Sequence, residues 1–320
     1  MLNCTSNCTQ CNLSVTNNTL ILQKVTSIPT FILGLLGNIY VFVIFSRRPR
    51  KEWTNIMIYI TNMAIADSVV LAILPFMIHF YDSKLRPEFK AICNIVLSLY
   101  YVNMYVSIFT VTAISVVRYI AVKFPMKARE ILSRRSALVV CGLIWLVMLC
   151  FCPIYFLKDS GNDKTMCFQR VRESLSLHFI LLLTVVGFLL PFLIVLFCSI
   201  NVICTLRKGL DVGIRSEKLQ CMFIIAANLI VFVICFLPIH FGFILKYIAQ
   251  SHILEKSKSN CDMQIFGHNF VHGAMCFSIM NCSLDSFSYY FANKTKWNTC
   301  GTNHRNDKKC VYNRVELRDK

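Results

Sequence analysis

Six polar side chains interrupt long apolar stretches of this sequence, where an unpaired polar group is costly to bury. They are Asn38, Asp67, Asn103, Ser107, Asn281 and Asp285. Two carboxylates that face a shared core cannot both stay ionised without a counter-charge. The pair therefore requires a cation or a shared proton. The alternative is that each aspartate hydrogen-bonds separately to its own neighbours.

Seven apolar stretches must position these side chains, roughly at residues 21–46, 55–80, 90–122, 136–157, 175–206, 219–248 and 263–291. Each is long enough for a membrane-spanning helix of roughly 20 residues. Hydrophobic residues make up 56% of the chain and charged residues only 15%, whereas a soluble domain carries about a quarter charged residues. We predict an all-α membrane protein, a seven-transmembrane helix bundle at 21–291. An extracellular N-terminal segment at 1–20 precedes it and a basic cytoplasmic tail at 292–320 follows.

The basic residues predict the orientation of the bundle. The formal net charge of +17 would also suit a nucleic-acid-binding protein, but the apolar stretches argue against that class. With the N-terminus outside, 21 of the 33 lysines and arginines fall in inner segments and 11 in outer ones, as the positive-inside rule requires. The outer N-terminal segment also carries four glycosylation sequons, at Asn3, Asn7, Asn12 and Asn17.

Cysteines are informative at both membrane surfaces. Cys93 and Arg118 are 25 residues apart, or ~38 Å of helix, so they lie at the extracellular and cytosolic mouths of span three. Cys93 can pair with Cys167 in the oxidising outer compartment, and the alternative is two free thiols. Cys261 can pair with one of three cysteines, and the sequence leaves open whether it is Cys4, Cys8 or Cys11. In the tail, Cys300 is a candidate for palmitoylation.

One motif per span follows in order along the chain: Gly37-Asn38, Asn62 to Asp67, Cys93 with Cys167, Arg118-Tyr119, Trp145, Pro191, Phe236-Leu-Pro238 and Asp285-Ser-Phe-Ser-Tyr289. This set resembles the rhodopsin-like (class A) family of G-protein-coupled receptors over nearly the whole chain. Asp285, where asparagine is usual, resembles the branch of nucleotide, protease-activated and lysophospholipid receptors. Within that branch, the segments 28–36, 58–62, 236–243 and 281–285 look most like the lysophosphatidylinositol receptor and its kynurenate-responsive relative.

The resemblance implies a plasma-membrane receptor, not an enzyme, that binds an extracellular ligand and activates heterotrimeric G proteins. Coupling to the Rho-activating or phospholipase-activating class is the leading expectation, with arrestin as a further partner. Arg118, beside Tyr119, would contact the G protein once span six moves outward. Phe236, beneath the ligand and two residues inward of the kink at Pro238, would be the aromatic switch, and Tyr289 would rotate inward.

The resemblance also implies a sodium pocket formed by Asp67, Asn103, Ser107, Asn281 and Asp285, with Asn38 in the same polar core. Sodium is the one metal ion we expect, and we expect no other cofactor. Two residues depart from the family pattern. Val117 stands where the family usually has an acid that restrains Arg118, so we predict raised basal signalling. Ser286 stands where the family has proline, so we expect less kinking of span seven.

The outer halves of spans three, five, six and seven should line the ligand site. The candidates combine apolar and aromatic side chains with basic or titratable groups toward the rim: Tyr100, Tyr101, Met104, Arg170, His240, Phe243, Lys246, His272 and Met275. An anionic lysophospholipid fits this pattern, with its tail among the aromatics and its head held by Lys246 or Arg170. Another small anionic ligand or a nucleotide is the alternative, and for each aromatic the alternative role is interhelical packing.

Other seven-span classes fit less well. A retinal-binding pump needs a lysine midway along span seven, and residues 263–291 contain none. A membrane zinc hydrolase needs several histidines in one membrane layer. His268 and His272 are one turn apart and can bind metal, but no reactive carboxylate stands nearby in the sequence. A transporter would show repeat halves or broken helices, and neither is visible.

Overall fold

The structure is a computed structural model that describes residues 15–49, 53–80, 90–157, 177–208, 215–251 and 258–302. The helices are α1 (Asn17–Ser46), α2 (Asn55–Phe80), α3 (Lys90–Lys123), α4 (Pro125–Ile131), α5 (Arg134–Leu157), α6 (Leu177–Leu181), a π-helical segment (Leu182–Leu189), α7 (Leu190–Lys208), α8 (Arg215–Ser251) and α9 (Lys258–Thr302). Spans one to seven are α1, α2, α3, α5, the run from α6 to α7, α8 and α9. These ranges contain no strand, and the predicted seven-helix bundle is confirmed.

Six of the spans are long and apolar enough to cross a bilayer by length and composition. The seventh, α9, is 45 residues long and carries many of the polar groups discussed below. The apolar window of span two is 56% buried and that of span four only 11%. Span two is therefore central and span four peripheral, where lipid rather than protein covers leucines such as Leu138 and Leu146.

The core is one large apolar cluster among α2, α3, α8 and α9. Its most deeply buried members include Leu74, Tyr100, Ile108, Phe232 and Ile279. A second cluster, nearer the cytosol, joins α2, α3 and α5 through Tyr59, Val117 and Cys141, among others. Together the two clusters fix α3 along most of its length, so the functional side chains on α3 sit on a rigid element.

The π-helical segment lies directly before Pro191. The Leu190 N–H donates to the Val185 carbonyl, five residues back rather than four. A proline has no N–H to continue an α-helical ladder, and a local π-turn is one way for the chain to adjust. The sequence identified Pro191 as the motif residue of span five but gave no indication of this register change.

Three spanning helices have ends at least four residues from the predicted boundaries: α1, α9, and α8, which begins at Arg215 rather than at 219. Helix α1 begins at Asn17 rather than at 21, and the Asn269 side chain ties this end to α9 by accepting the Thr16 N–H at 2.7 Å. Helix α9 continues to Thr302, past the predicted start of the tail at 292. The residues at these helix ends are polar. They can form helix, but they do not continue the apolar pattern from which the spans were predicted.

Candidate functional site

The polar core begins between α2 and α3. Asn103 and Ser107 are one turn apart on α3, and both are buried, as is Asp67 of α2. The Asn103 side-chain amide donates to Asp67 Oδ1 at 3.3 Å. Asp67 Oδ2 and Ser107 Oγ are buried without a hydrogen-bond partner. Two oxygens with unused acceptor capacity therefore lie in the same buried region.

Helix α9 completes the core from the other side. The Asn281 amide donates to Asp285 Oδ2 at 2.7 Å, and the Cys282 thiol lies beside the Asp67 carboxylate. Asn38 of α1 donates to the Cys282 carbonyl at 3.2 Å and to the Gly34 carbonyl at 2.9 Å. Four helices, α1, α2, α3 and α9, thus meet in one polar region that contains both aspartates.

A cavity of about 70 Å³ connects this core to the cytosolic end of the bundle. Its lining includes Asp67 and Asp285 at one end and Arg118 at the other, with Phe236 on its wall. Carboxylate, amide and hydroxyl oxygens are the ligands that hard cations prefer. The donor set and the two unpartnered oxygens therefore fit a sodium ion.

Helix α1 approaches α9 closely beside this core because residue 37 is glycine. A Cβ at Gly37 would lie 2.5 Å from the Ser286 Cβ, a distance that real side chains do not adopt. Ser286, at the family's proline position, is buried, and its hydroxyl faces the Cys282 carbonyl at 3.5 Å. Helix α9 runs through this position as one continuous helix.

The predicted ligand-binding side chains of α3, α8 and α9 come together in the outer half. Tyr100, Tyr101, Met104, Phe243 and Met275 belong to the large apolar cluster. Tyr101 and Phe243 have ring centroids 6.1 Å apart, and Tyr100 packs edge-on against Tyr101 at 5.0 Å. Lys246 is half-buried at the outer end of α8, and His272 is buried on α9.

His240 lies at the centre of this cluster in a fixed tautomer. Its Nδ1 faces the Phe236 carbonyl at 2.8 Å, and because a carbonyl only accepts, Nδ1 carries the hydrogen. Nε2 of the neutral ring then accepts from the Tyr105 hydroxyl at 3.3 Å. Phe188 stacks on the ring with centroids 4.4 Å apart. His240 thus links α3, α8 and the π-helical segment.

The cytosolic end presents Arg118, half-buried, in a cleft with residues of α7 and α8 such as Ser199 and Asn228. Cys221 of α8 lies within its electrostatic reach. Val117 is only 8% exposed and packs in the second apolar cluster. Tyr119 contacts Phe124 and Phe197, with ring centroids 6.0 and 5.6 Å apart.

Some predicted residues lie outside what the structure describes. Cys93 and Cys261 each take part in a disulfide, but the partners proposed for them, Cys167 and one of Cys4, Cys8 and Cys11, lie outside the described residues. So do Arg170, Asn3, Asn7 and Asn12. Asn17 is exposed at the first turn of α1. Tyr289 and Cys300 lie on α9, whose side chains are described only as far as Ser286.

Sequence reasoning missed several contacts. Cys282 was not among the predicted core residues, yet it lies beside Asp67. Tyr105 was not singled out, and the pairing of Asn62 with its neighbours was not predicted. The Trp145 ring N–H donates to Asn62 Oδ1 at 2.8 Å, and the Asn62 amide donates to Thr110 Oγ1 at 2.9 Å. A signal existed only for Tyr105, as a tyrosine one turn from Tyr101.

The bundle, its polar core and the cytosolic arginine define a seven-transmembrane receptor. The chain matches the family described as "7 transmembrane receptor (rhodopsin family)" over residues 37–289, and it belongs to that family, as the motifs indicated. It is a multi-pass plasma-membrane receptor that acts through heterotrimeric G proteins, and it is not an enzyme.

Three human relatives are similar over most of the chain. G-protein coupled receptor 55 is 34% identical over 281 residues, 85% of each chain. G-protein coupled receptor 35 is 34% identical over 267 residues, 82% of this chain and 81% of the relative. Lysophosphatidic acid receptor 6 is 30% identical over 284 residues, 84% of this chain and 80% of the relative.

Proposed function

We propose that this receptor responds to an anionic lysophospholipid. The observation that carries the proposal is a change of side-chain character on two facing helices. On α8, Lys246 is followed one turn inward by Phe243, and on α9, His272 is followed one turn inward by Met275. Phe243 and Met275 belong to the same apolar cluster. An amphiphile whose head lies outward and whose tail lies inward matches this order.

On the cytosolic side, short helix α4 and the residue before it expose apolar side chains next to the span that carries Arg118. Phe124 is 43% exposed, Met126 74% and Ile131 56%. Exposed apolar groups at a cytosolic surface suit a protein partner. We assign this surface, with Arg118, Tyr119 and Tyr289, to G-protein coupling, and Pro238 to the kink about which α8 pivots. The Rho-activating or phospholipase-activating class is our proposal, and arrestin is a further partner of the same face.

We assign the polar core to a sodium ion. Asp67, Ser107 and Asp285 would supply oxygens, while Asn103 and Asn281 orient the two carboxylates through the bonds described above. The ion would supply the positive charge that two carboxylates in one buried region require. The same cavity reaches Arg118, so an ion in the core is placed to influence the cytosolic end.

We also propose raised basal activity. At position 117 the family usually places an acid that pairs with the adjacent arginine. Val117 carries no charge and packs among apolar residues of α2 and α5, so it supplies no such restraint on Arg118. The proposed glycans at Asn3, Asn7, Asn12 and Asn17 and a palmitoyl group at Cys300 complete the expected mature protein.

The test is G-protein activation in cells that express the full chain, with panels of lysophospholipids and of nucleotides. We expect a lysophospholipid response that Arg118→Ala abolishes while surface expression is unchanged. A response to nucleotides alone would instead support the alternative ligand class. A lysophospholipid response that persists in Arg118→Ala would contradict the assigned route to the G protein.

A further inference from the structure

Two histidines near the outer end of α9 lie against each other in the interior of the bundle. His268 and His272 are 2% and 3% exposed, and their ring centroids are 4.6 Å apart. His268 Nε2 is buried without a hydrogen-bond partner. A buried polar nitrogen without a partner is costly, so this one indicates a position where a ligand group completes the bonding.

Gln23 of α1 determines which nitrogen of His272 carries the hydrogen. The Gln23 amide faces both the His272 backbone carbonyl and His272 Nδ1, each at 3.4 Å. A carbonyl only accepts, so the amide atom between them is the NH₂ group, and Nδ1 accepts from it. The hydrogen of the neutral ring is therefore on Nε2. His272 presents an N–H donor, and His268 can present one as well.

The third member is Lys246 of α8, which lies within electrostatic reach of both rings. Helices α8 and α9 are in contact here, since a Cβ added at Gly267 would lie within van der Waals distance of the Lys246 Cα, at 3.5 Å. A positive charge beside two N–H donors attracts an anion and repels a cation. A metal ion would also need the Nε2 lone pair of His272, and that nitrogen carries the hydrogen.

We propose that His268, His272 and Lys246 form a binding site for a phosphate-type anionic group, with Gln23 as the residue that positions His272. The identification of that group as a lipid head rests on the proposed lysophospholipid function. The same chemistry is present in a free phosphate. The site lies one turn outward of Met275 and Phe243, so a bound headgroup would leave its acyl chain at the apolar cluster.

The test measures the thermal stability of the purified full-length receptor with three probes: oleoyl lysophosphatidate, uncharged monooleoylglycerol, and inorganic phosphate. The variants are His268→Leu, which removes the donor, and His268→Gln, which retains an amide donor near the Nε2 position. His178→Leu is the matched control, because His178 is an exposed histidine at the outer end of span five. Each shift in Tm is taken relative to the same variant without probe.

We expect lysophosphatidate to raise the Tm of the wild-type protein more than monooleoylglycerol does. In His268→Leu, the lysophosphatidate concentration that gives half of the maximal Tm shift should rise about tenfold, as expected for one lost charge-assisted hydrogen bond. His268→Gln and His178→Leu should stay within about threefold of wild type.

The outcomes distinguish a failure of the proposed anion site from a failure of the proposed lysophospholipid ligand. Stabilisation by inorganic phosphate alone, lost in His268→Leu, would keep the anion site and contradict the lipid class. Equal stabilisation of wild type and His268→Leu by every anion, or none of either, would overturn the site. Stabilisation by added Zn²⁺ but not by anions, again lost in His268→Leu, would overturn it in favour of a metal site.

Discussion

The inner and outer halves of the bundle bury polar groups of opposite character. The inner core offers acceptors, since Asp67 Oδ2 and Ser107 Oγ are buried without partners. The outer site can offer donors, from the His272 Nε2–H, the His268 ring and the nearby Lys246. His272 and Asp285 are 13 residues apart on α9, which is ~20 Å of helix. One helix therefore carries an environment suited to a cation at one level and an anion at another.

The contrast assigns a role to each pair of polar side chains, the two aspartates and the two histidines. A buried acceptor cluster is stable only with a positive partner, and a buried donor cluster only with a negative one. The side chains around each cluster supply only part of the hydrogen bonds and of the opposite charge that the cluster requires. Two different ligands would supply the rest, and each would act on α9.

Reversing the charge of the outer site should have the largest effect. Lys246→Glu should lower the potency of an anionic lysophospholipid about 10- to 100-fold, because an attractive charge becomes a repulsive one. Lys246→Gln removes only the attraction and should lie between that variant and wild type. Dose–response curves of G-protein activation, with surface expression matched, measure both. Equal potency in Lys246→Glu and wild type would show that Lys246 takes no part in the site.

The inner core depends on the close approach of α1 to α9. Gly37→Ala should lower stability by about 1–3 kcal/mol through overpacking, because its Cβ would meet Ser286 at 2.5 Å. Gly142→Ala is the matched control, since a Cβ there meets nothing within 4 Å. Thermal unfolding of the purified variants gives the comparison. A Gly37→Ala protein as stable as Gly142→Ala would show that the two helices need not be in contact.

Removing the acceptor charge should abolish sensitivity to sodium. When sodium replaces choline in the medium, agonist potency of the wild type should fall roughly 5-fold or more. Asp67→Asn should show no such shift. Ser68→Ala is the control and should retain the sodium effect. Ser68 is the residue after Asp67, but its hydroxyl donates to the Ala64 carbonyl of its own helix. A sodium effect that survives in Asp67→Asn would place the ion elsewhere.

The smallest expected effect concerns Arg118. Val117→Asp should lower basal signalling about fivefold if the new ion pair contributes about 1 kcal/mol. Val117→Asn introduces a side chain of nearly the same shape as aspartate but without its charge, and it should leave basal signalling high. Because Val117 is buried among apolar residues, both variants need comparison at equal surface expression. A fall of equal size in both would be a packing effect and not a restored restraint.

The spans and the polar core could be predicted because their signals are local. Long apolar runs identify the helices, and Asp67 and Asp285 are conspicuous within such runs. Helix ends at Asn17 and Thr302 were missed because polar residues there give no contrast with loop. The shared core also required that α1, α2, α3 and α9 meet, and only the family resemblance predicted that arrangement.

Contacts between distant segments were the part that the sequence did not predict. Gln23 and His272 are 249 residues apart, and Asn62 and Trp145 are 83 apart. A tautomer, such as that of His240, depends on which atom faces which, and a pattern of residue types does not contain that information. The π-helical segment before Pro191 is similar, since a proline predicts disruption but not its form.

The most direct test of opposite-charge sites is nucleotide exchange on G protein in membranes that contain the receptor. Oleoyl lysophosphatidate and monooleoylglycerol would be compared in sodium and in choline, for wild type and Asp67→Asn. We predict activation by the anionic lipid alone, weakened by sodium in the wild type and not in Asp67→Asn. Equal activation by the uncharged lipid, with no effect of sodium in either protein, would contradict the account.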